Sequence, residues 1–107
     1  MRGFVKYIIP KSNVRGIVLD GSDWQTQDDF YDAFFQAVGA PDWHGRNLNA
    51  LNDSIGTGDI NKIEVPYIVR IKCVASMSLE ACQMVEDFSE LIARLKNEGV
   101  EVDLICE

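Results

Sequence analysis

The chain has 107 residues, of which 47% are hydrophobic and 25% charged, with ten Lys and Arg against seventeen Asp and Glu. That length and near-average composition fit one domain with a single core and exclude a disordered or fibrous chain. A formal charge of −7 with no basic run argues against direct binding to nucleic acid and favours a basic protein partner, although ordinary solubility charge accounts for it equally well.

Phe4 to Ile9 is a β-rich run ended by Pro10, which predicts a strand followed by a turn over 10–13. Val14 to Leu19 contains Gly-Ile-Val-Leu, the pattern of a strand buried on both faces, and Asp20-Gly21 stops it. Thr26 is a suitable N-cap with Asp29 in the third helical position. Phe30, Ala33, Phe34, Ala37 and Val38 then recur at helical spacing until Gly39 and Pro41.

The next stretch, Pro41 to Asp59, concentrates the unusual residues. A turn through Pro41 and Gly45 delivers Trp43 and the single histidine, His44, to the start of a short helix expected to close on Gly56. Winding Asn47 to Ile55 as a helix puts Leu48, Leu51 and Ile55 on a core face and Arg46, Asn49 and Asp53 on a polar one. That polar face, preceded by two large rings, suits a surface that receives a partner; a capped, solvated surface helix is the plainer alternative.

Gly56 to Glu64 reads as a loop. Tyr67 to Val74 is a second strand of the buried type, entered through Pro66, with Arg70 and Lys72 on one face as expected near a sheet edge. Ser76 or Ser78 caps a helical pattern carried by Leu79, Cys82, Val85, Phe88, Leu91, Ile92 and Leu95 through to Asn97, as one helix or two. Gly99 ends it, and Val100 to Cys106 forms a last strand. The order strand, helix, helix, strand, helix, strand predicts an α/β fold in which the segments beginning at Ile17, Tyr67 and Val100 run parallel in one sheet.

Gly45-x-Asn47-Leu48-x-Ala50-Leu51-x-Asp53, preceded by Pro41-Asp42-Trp43, resembles the central helix of the barstar family of ribonuclease inhibitors. The resemblance runs from about Gly16 to Cys106 and includes Pro66 and Lys96-x-Glu98-Gly99. It implies a single domain with a three-stranded parallel sheet packed with helices, to which the strand at Phe4 would be an addition. It also implies an acidic helix and adjoining loop that block the active site of a bacterial extracellular or toxin ribonuclease. By that resemblance Trp43 and His44 are aromatic contacts, Asn47 is the helix-start asparagine, Asp53 enters the ribonuclease's phosphate-binding site, and Glu98 is a further acid. Asn49, Asn52 and Gly56 complete the expected partner-binding surface. Asn49 replaces an acid of the family, Asn52 a large aromatic, and Arg94 another acid, so the partner need not be the family's usual one. Solubilisation by Asp53 and an i,i+4 pair between Glu98 and Arg94 are the competing structural explanations.

Cys73, Cys82 and Cys106 are odd in number, widely spaced and without a CxxC pair, which excludes a disulfide framework or zinc site. Their apolar neighbours predict inert thiols in strand or helix-core positions. No phosphate-binding loop, nucleophile elbow or metal cluster is present in the sequence, and His44 is the one candidate base for a thiol, so neither enzyme activity nor a cofactor or metal is expected. The absence of a signal peptide or a membrane-length apolar run predicts a cytoplasmic chain. The free domain is expected to be a monomer, although nothing in the sequence itself fixes its self-association. A binding module or immunity protein for a non-nuclease toxin is the alternative function.

Overall fold

The computed structural model describes residues 14–107. The strand expected at Phe4 to Ile9 and the turn after it lie outside the described residues. The elements are β1 (Arg15–Asp20), α1 (Gln27–Val38), α2 (Leu48–Asn52) continued by a π-helical turn (Asp53–Thr57), β2 (Tyr67–Lys72), a 3₁₀ turn (Val74–Ser76), α3 (Leu79–Asn97) and β3 (Val102–Cys106).

The strands form one parallel sheet in the order β1-β2-β3, with Ile17 opposite Val69 and Val69 opposite Leu104. The three expected strands are therefore parallel neighbours, as the α/β reading required. Both crossovers step in the same direction through the order β1-β2-β3, and because such connections share one hand the helices lie on the same face of the sheet. Ile17, Leu19, Tyr67, Val69, Ile71 and Val102 are buried beneath them, while Val18 remains 57% exposed on the opposite face. This corrects the expectation of strands buried on both faces: one face is open, so burial alternates along β1 and β2. It also corrects the edge placement inferred from Arg70 and Lys72. Both lie on the central strand and are charged because their face is uncovered.

Each helix starts where side-chain chemistry can satisfy its free N–H groups. Thr26 and Asp29 form a reciprocal capping box at α1, with Asp29 Oδ2 accepting from the N–H groups of Gln25 (2.7 Å) and Thr26 (3.0 Å). These backbone donors hold the Asp29 carboxyl below its usual range. Ser78 caps α3 by accepting from Ala81 N–H and also donates to Gln25 O at 2.6 Å. Glu80 accepts from Gln27 N–H at 3.0 Å, so the starts of α1 and α3 are tied together.

Between those helices Phe88 packs 4.8 Å from Phe30 and 5.5 Å from Phe34, centroid to centroid, and Trp24 meets Phe30 edge-on. Each large side chain buried in this way stabilises the fold by about 1.5–3 kcal/mol. The segment from Leu79 to Asn97 is one uninterrupted helix. Leu79 itself is exposed: as the first helical residue it precedes the turn that reaches the core. β2 ends at Lys72 rather than Val74, because Cys73 takes a left-handed conformation (φ 64°) and the chain turns. β3 begins at Val102, two residues after its expected start.

Candidate functional site

The polar surface expected on the central helix is built from the entry loop upward. Pro41 and His44 close a turn through a 3.0 Å backbone hydrogen bond. The His44 ring then faces inward, 7% exposed, and packs 4.4 Å from the Phe35 ring of α1. Its Nδ1 lies 2.8 Å from Gly45 O and its Nε2 2.9 Å from Ser54 Oγ. A carbonyl oxygen only accepts, so Nδ1 carries the hydrogen, and in the neutral ring Nε2 accepts from the Ser54 hydroxyl.

Arg46, two residues on, also turns back to α1. Its guanidinium donates to Asp28 Oδ1 (3.1 Å) and Asp32 Oδ1 (2.5 Å) and lies 5.6 Å from the Phe35 ring centroid. Donating to the Asp32 carboxylate raises the Arg46 pKa, so the side chain is charged at any working pH. With His44 buried against α1 and Arg46 turned back along its surface, Trp43 projects into solvent at 73% exposure.

Asn47 begins the helix as its N-cap, with Oδ1 accepting from Ala50 N–H at 2.8 Å. The helix does not close on Gly56 as expected. A π-helical turn carries it to Thr57, Gly58 N–H bonds Asp53 O at 3.1 Å, and Gly58 takes the positive φ (88°) that ends it. Gly56 sits inside this turn against α3, where a Cβ would stand 3.1 Å from Leu95 Cδ2. Leu51 and Ile55 are buried as predicted, but Leu48 is 38% exposed, because it opens the helix beside the loop rather than over the core.

Asn49, Asn52, Asp53 and Gly56 follow one another at intervals that place them on one side of the helical segment. Asp53, Gly56 and Asn49 are exposed, whereas Asn52 is half-buried and accepts from Arg94 Nη2 of α3 at 3.2 Å. Trp43 and Asp53 line the same hollow of about 100 Å³, together with His44, Gly45, Ala50 and Ile60. Among the described residues no cation pairs with the Asp53 carboxylate, in contrast to Asp28 and Asp32. Glu98 is exposed at the C-cap of α3, one turn beyond Arg94. The pairing of Glu98 with Arg94 does not form, since the guanidinium turns to Asn52. A second hollow of about 300 Å³, lined by Asp32, Asp42, His44 and Arg46 among others, lies on the α1 side of the loop.

Two site expectations change in character. His44 was expected beside Trp43 at the surface, and it is instead a buried link between the loop and Ser54. Ser54 and Phe35, its two partners, carry no sequence signal of that role, since only the fold brings them to the ring. The cysteines also differ from expectation: Cys73 and Cys106 are exposed and Cys82 half-buried. Cys73 occupies the turn after β2, and Cys106 is the last residue of β3. Partial burial nevertheless raises the Cys106 pKa, which keeps that thiol protonated and weakly nucleophilic. The ring nitrogens of His44 are engaged by Gly45 and Ser54, not by a thiol. Among the described residues no cluster of three or more His, Cys, Asp or Glu side chains is arranged to hold a metal.

The geometry thus presents one exposed indole and, among the described residues, one carboxylate without a paired cation on a capped helical segment. A family profile described as Barstar (barnase inhibitor) matches residues 14–106. The chain belongs to the barstar family. No curated protein matches it. Barstar-family membership accounts for the three parallel strands and for the placing of the helices, and the family is one of ribonuclease inhibitors rather than of enzymes. Among the described residues of this barstar-family chain, no helix is long and apolar enough to cross a membrane.

Proposed function

We propose that the chain inhibits a bacterial ribonuclease of the barnase kind by laying α2 and its entry loop over the enzyme's active site. The observation that carries this reading is the Asp53 carboxylate, exposed beside Trp43 with no cation paired to it among the described residues. A ribonuclease concentrates cations where it holds phosphate. A carboxylate on a fixed helical turn can occupy that place through charge-assisted hydrogen bonds and shut out the substrate. Trp43, Asn49, Asn52, Gly56 and Glu98 form the surrounding contact surface, and Asn47 sets the start of the helix. The partner is a basic ribonuclease or toxin protein met in the cytoplasm. The domain is monomeric before it binds and works by occlusion, without a cofactor or a reaction of its own.

Titration of a barnase-like ribonuclease with the wild type and with Asp53→Ala tests this reading. Truncating one member of a buried charge pair costs about 2–5 kcal/mol, a magnitude familiar from complexes of this same family. Asp53→Ala should therefore raise the inhibitor concentration needed by at least tenfold while leaving the fold intact. Equal potency of the two proteins would remove Asp53 from the phosphate site. One observation favours a second reading, an immunity protein for a non-nuclease toxin: Arg94 places a cation against the helix at Asn52. Failure of the wild type against every barnase-like enzyme tried, with capture of a different toxin, would select it.

A further inference from the structure

We propose that His44 and Ser54 form a positioning clasp that fixes Trp43 relative to Asp53 before any partner arrives, an inference that rests on reading this face as the binding surface. His44 follows Trp43 in the chain, and Ser54 follows Asp53. Their 2.9 Å hydrogen bond therefore joins the immediate neighbours of the two exposed groups across ten residues of sequence. Both side chains are buried, His44 at 7% and Ser54 at 1% exposure, so each is a polar group removed from water and answered by the other. The hydroxyl's other acceptor, Leu51 O at 3.4 Å, is at the limit of a hydrogen bond and replaces the ring poorly.

The rest of the ring is equally committed. Nδ1 is held by Gly45 O at 2.8 Å and the ring lies on Phe35, so His44 has no free nitrogen to offer a partner. It acts through the loop rather than by touching the enzyme. Without the clasp the side chain of Arg46 would still fasten the loop to Asp28 and Asp32, but those pairs are exposed, and exposed ion pairs contribute little. A loop ordered during folding spares the complex the entropy of ordering it on contact.

The test uses the full chain as wild type, Ser54→Ala, His44→Phe, which keeps a ring against Phe35, and the double variant. Amide hydrogen exchange of the free proteins is read at residues 43–46 and along α3. Loss of one buried hydrogen bond should speed loop exchange about two- to tenfold. The amides of α3 should keep their protection. The double variant should be no faster than the faster single, because the two side chains act as one unit. Unchanged loop exchange, an equal rise in α3, or additive effects in the double variant would overturn the clasp. Ser54→Ala alone decides the matter if His44→Phe does not fold. Titration with barnase then separates the two ideas: a wild type that fails to bind speaks against the inhibitor reading for this enzyme, while exchange still judges the clasp. A wild type and Ser54→Ala that bind barnase equally would overturn it.

Discussion

At position 43 the chain leaves a large aromatic ring in water although its neighbours at 44 and 46 are both drawn into contacts with α1. A solvated indole contributes little to folding, so Trp43→Ala should change stability by no more than about 0.5 kcal/mol in thermal or urea unfolding. Its effect should fall on the complex, where buried aromatics supply much of the contact surface. Equal affinity of Trp43→Ala and the wild type for the ribonuclease would remove the indole from the interface. Arg46 is the opposite case. Its charge is answered within the chain by Asp28 and Asp32, so Arg46→Ala should act less on affinity than Asp53→Ala does.

The helical elements depend on their first residues. Asn47 is the cap of a helix only five residues long before its π turn, so it has few other bonds to share the loss. Asn47→Ala should cost about 0.5–2 kcal/mol, read by urea unfolding, and should also speed exchange at the start of α2. Caps of this kind are local, acting within three residues of themselves. Thr26 with Asp29 was therefore legible in the sequence and the cap of α3 was narrowed to Ser76 or Ser78, whereas Asn47 was placed at a helix start only by the family resemblance. The stripes of α1 and α3 were legible for the same reason, since helical spacing alone sets which residues share a face. Val18, Leu48 and Leu79 were placed in the core by apolarity and are exposed, because burial depends on which side of an element the rest of the chain covers. The His44–Ser54 contact was not legible, as no periodicity relates those positions. The barstar-like stretch from Pro41 to Asp53 marked which surface to propose as the site, but not that its histidine faces inward.

Over the whole molecule the charge of −7 should govern the approach to a basic partner. Raising ionic strength screens this attraction, so stopped-flow measurements should show association slowing more than dissociation accelerates. Alkaline pH acts on the fold itself. Burial, with the Glu64 charge adding to it, raises the Tyr67 pKa, and the phenol remains protonated in the folded chain after it would ionise in the unfolded one. The stability tied to Tyr67 is therefore complete below pH about 10, the pKa of a free phenol, and declines as pH rises beyond it. Tyr67→Phe should flatten that decline in unfolding curves collected across the alkaline range. The two tryptophans give the molecule a further property. Trp24 is sealed in the core at 6% exposure and Trp43 stands outside, so their fluorescence divides cleanly between two events. Docking of a partner should blue-shift the Trp43 emission and shield it from a dissolved quencher, while Trp24 holds its signal until the chain unfolds. The unlabelled protein thereby carries one optical reporter for encounter and another for collapse of the core.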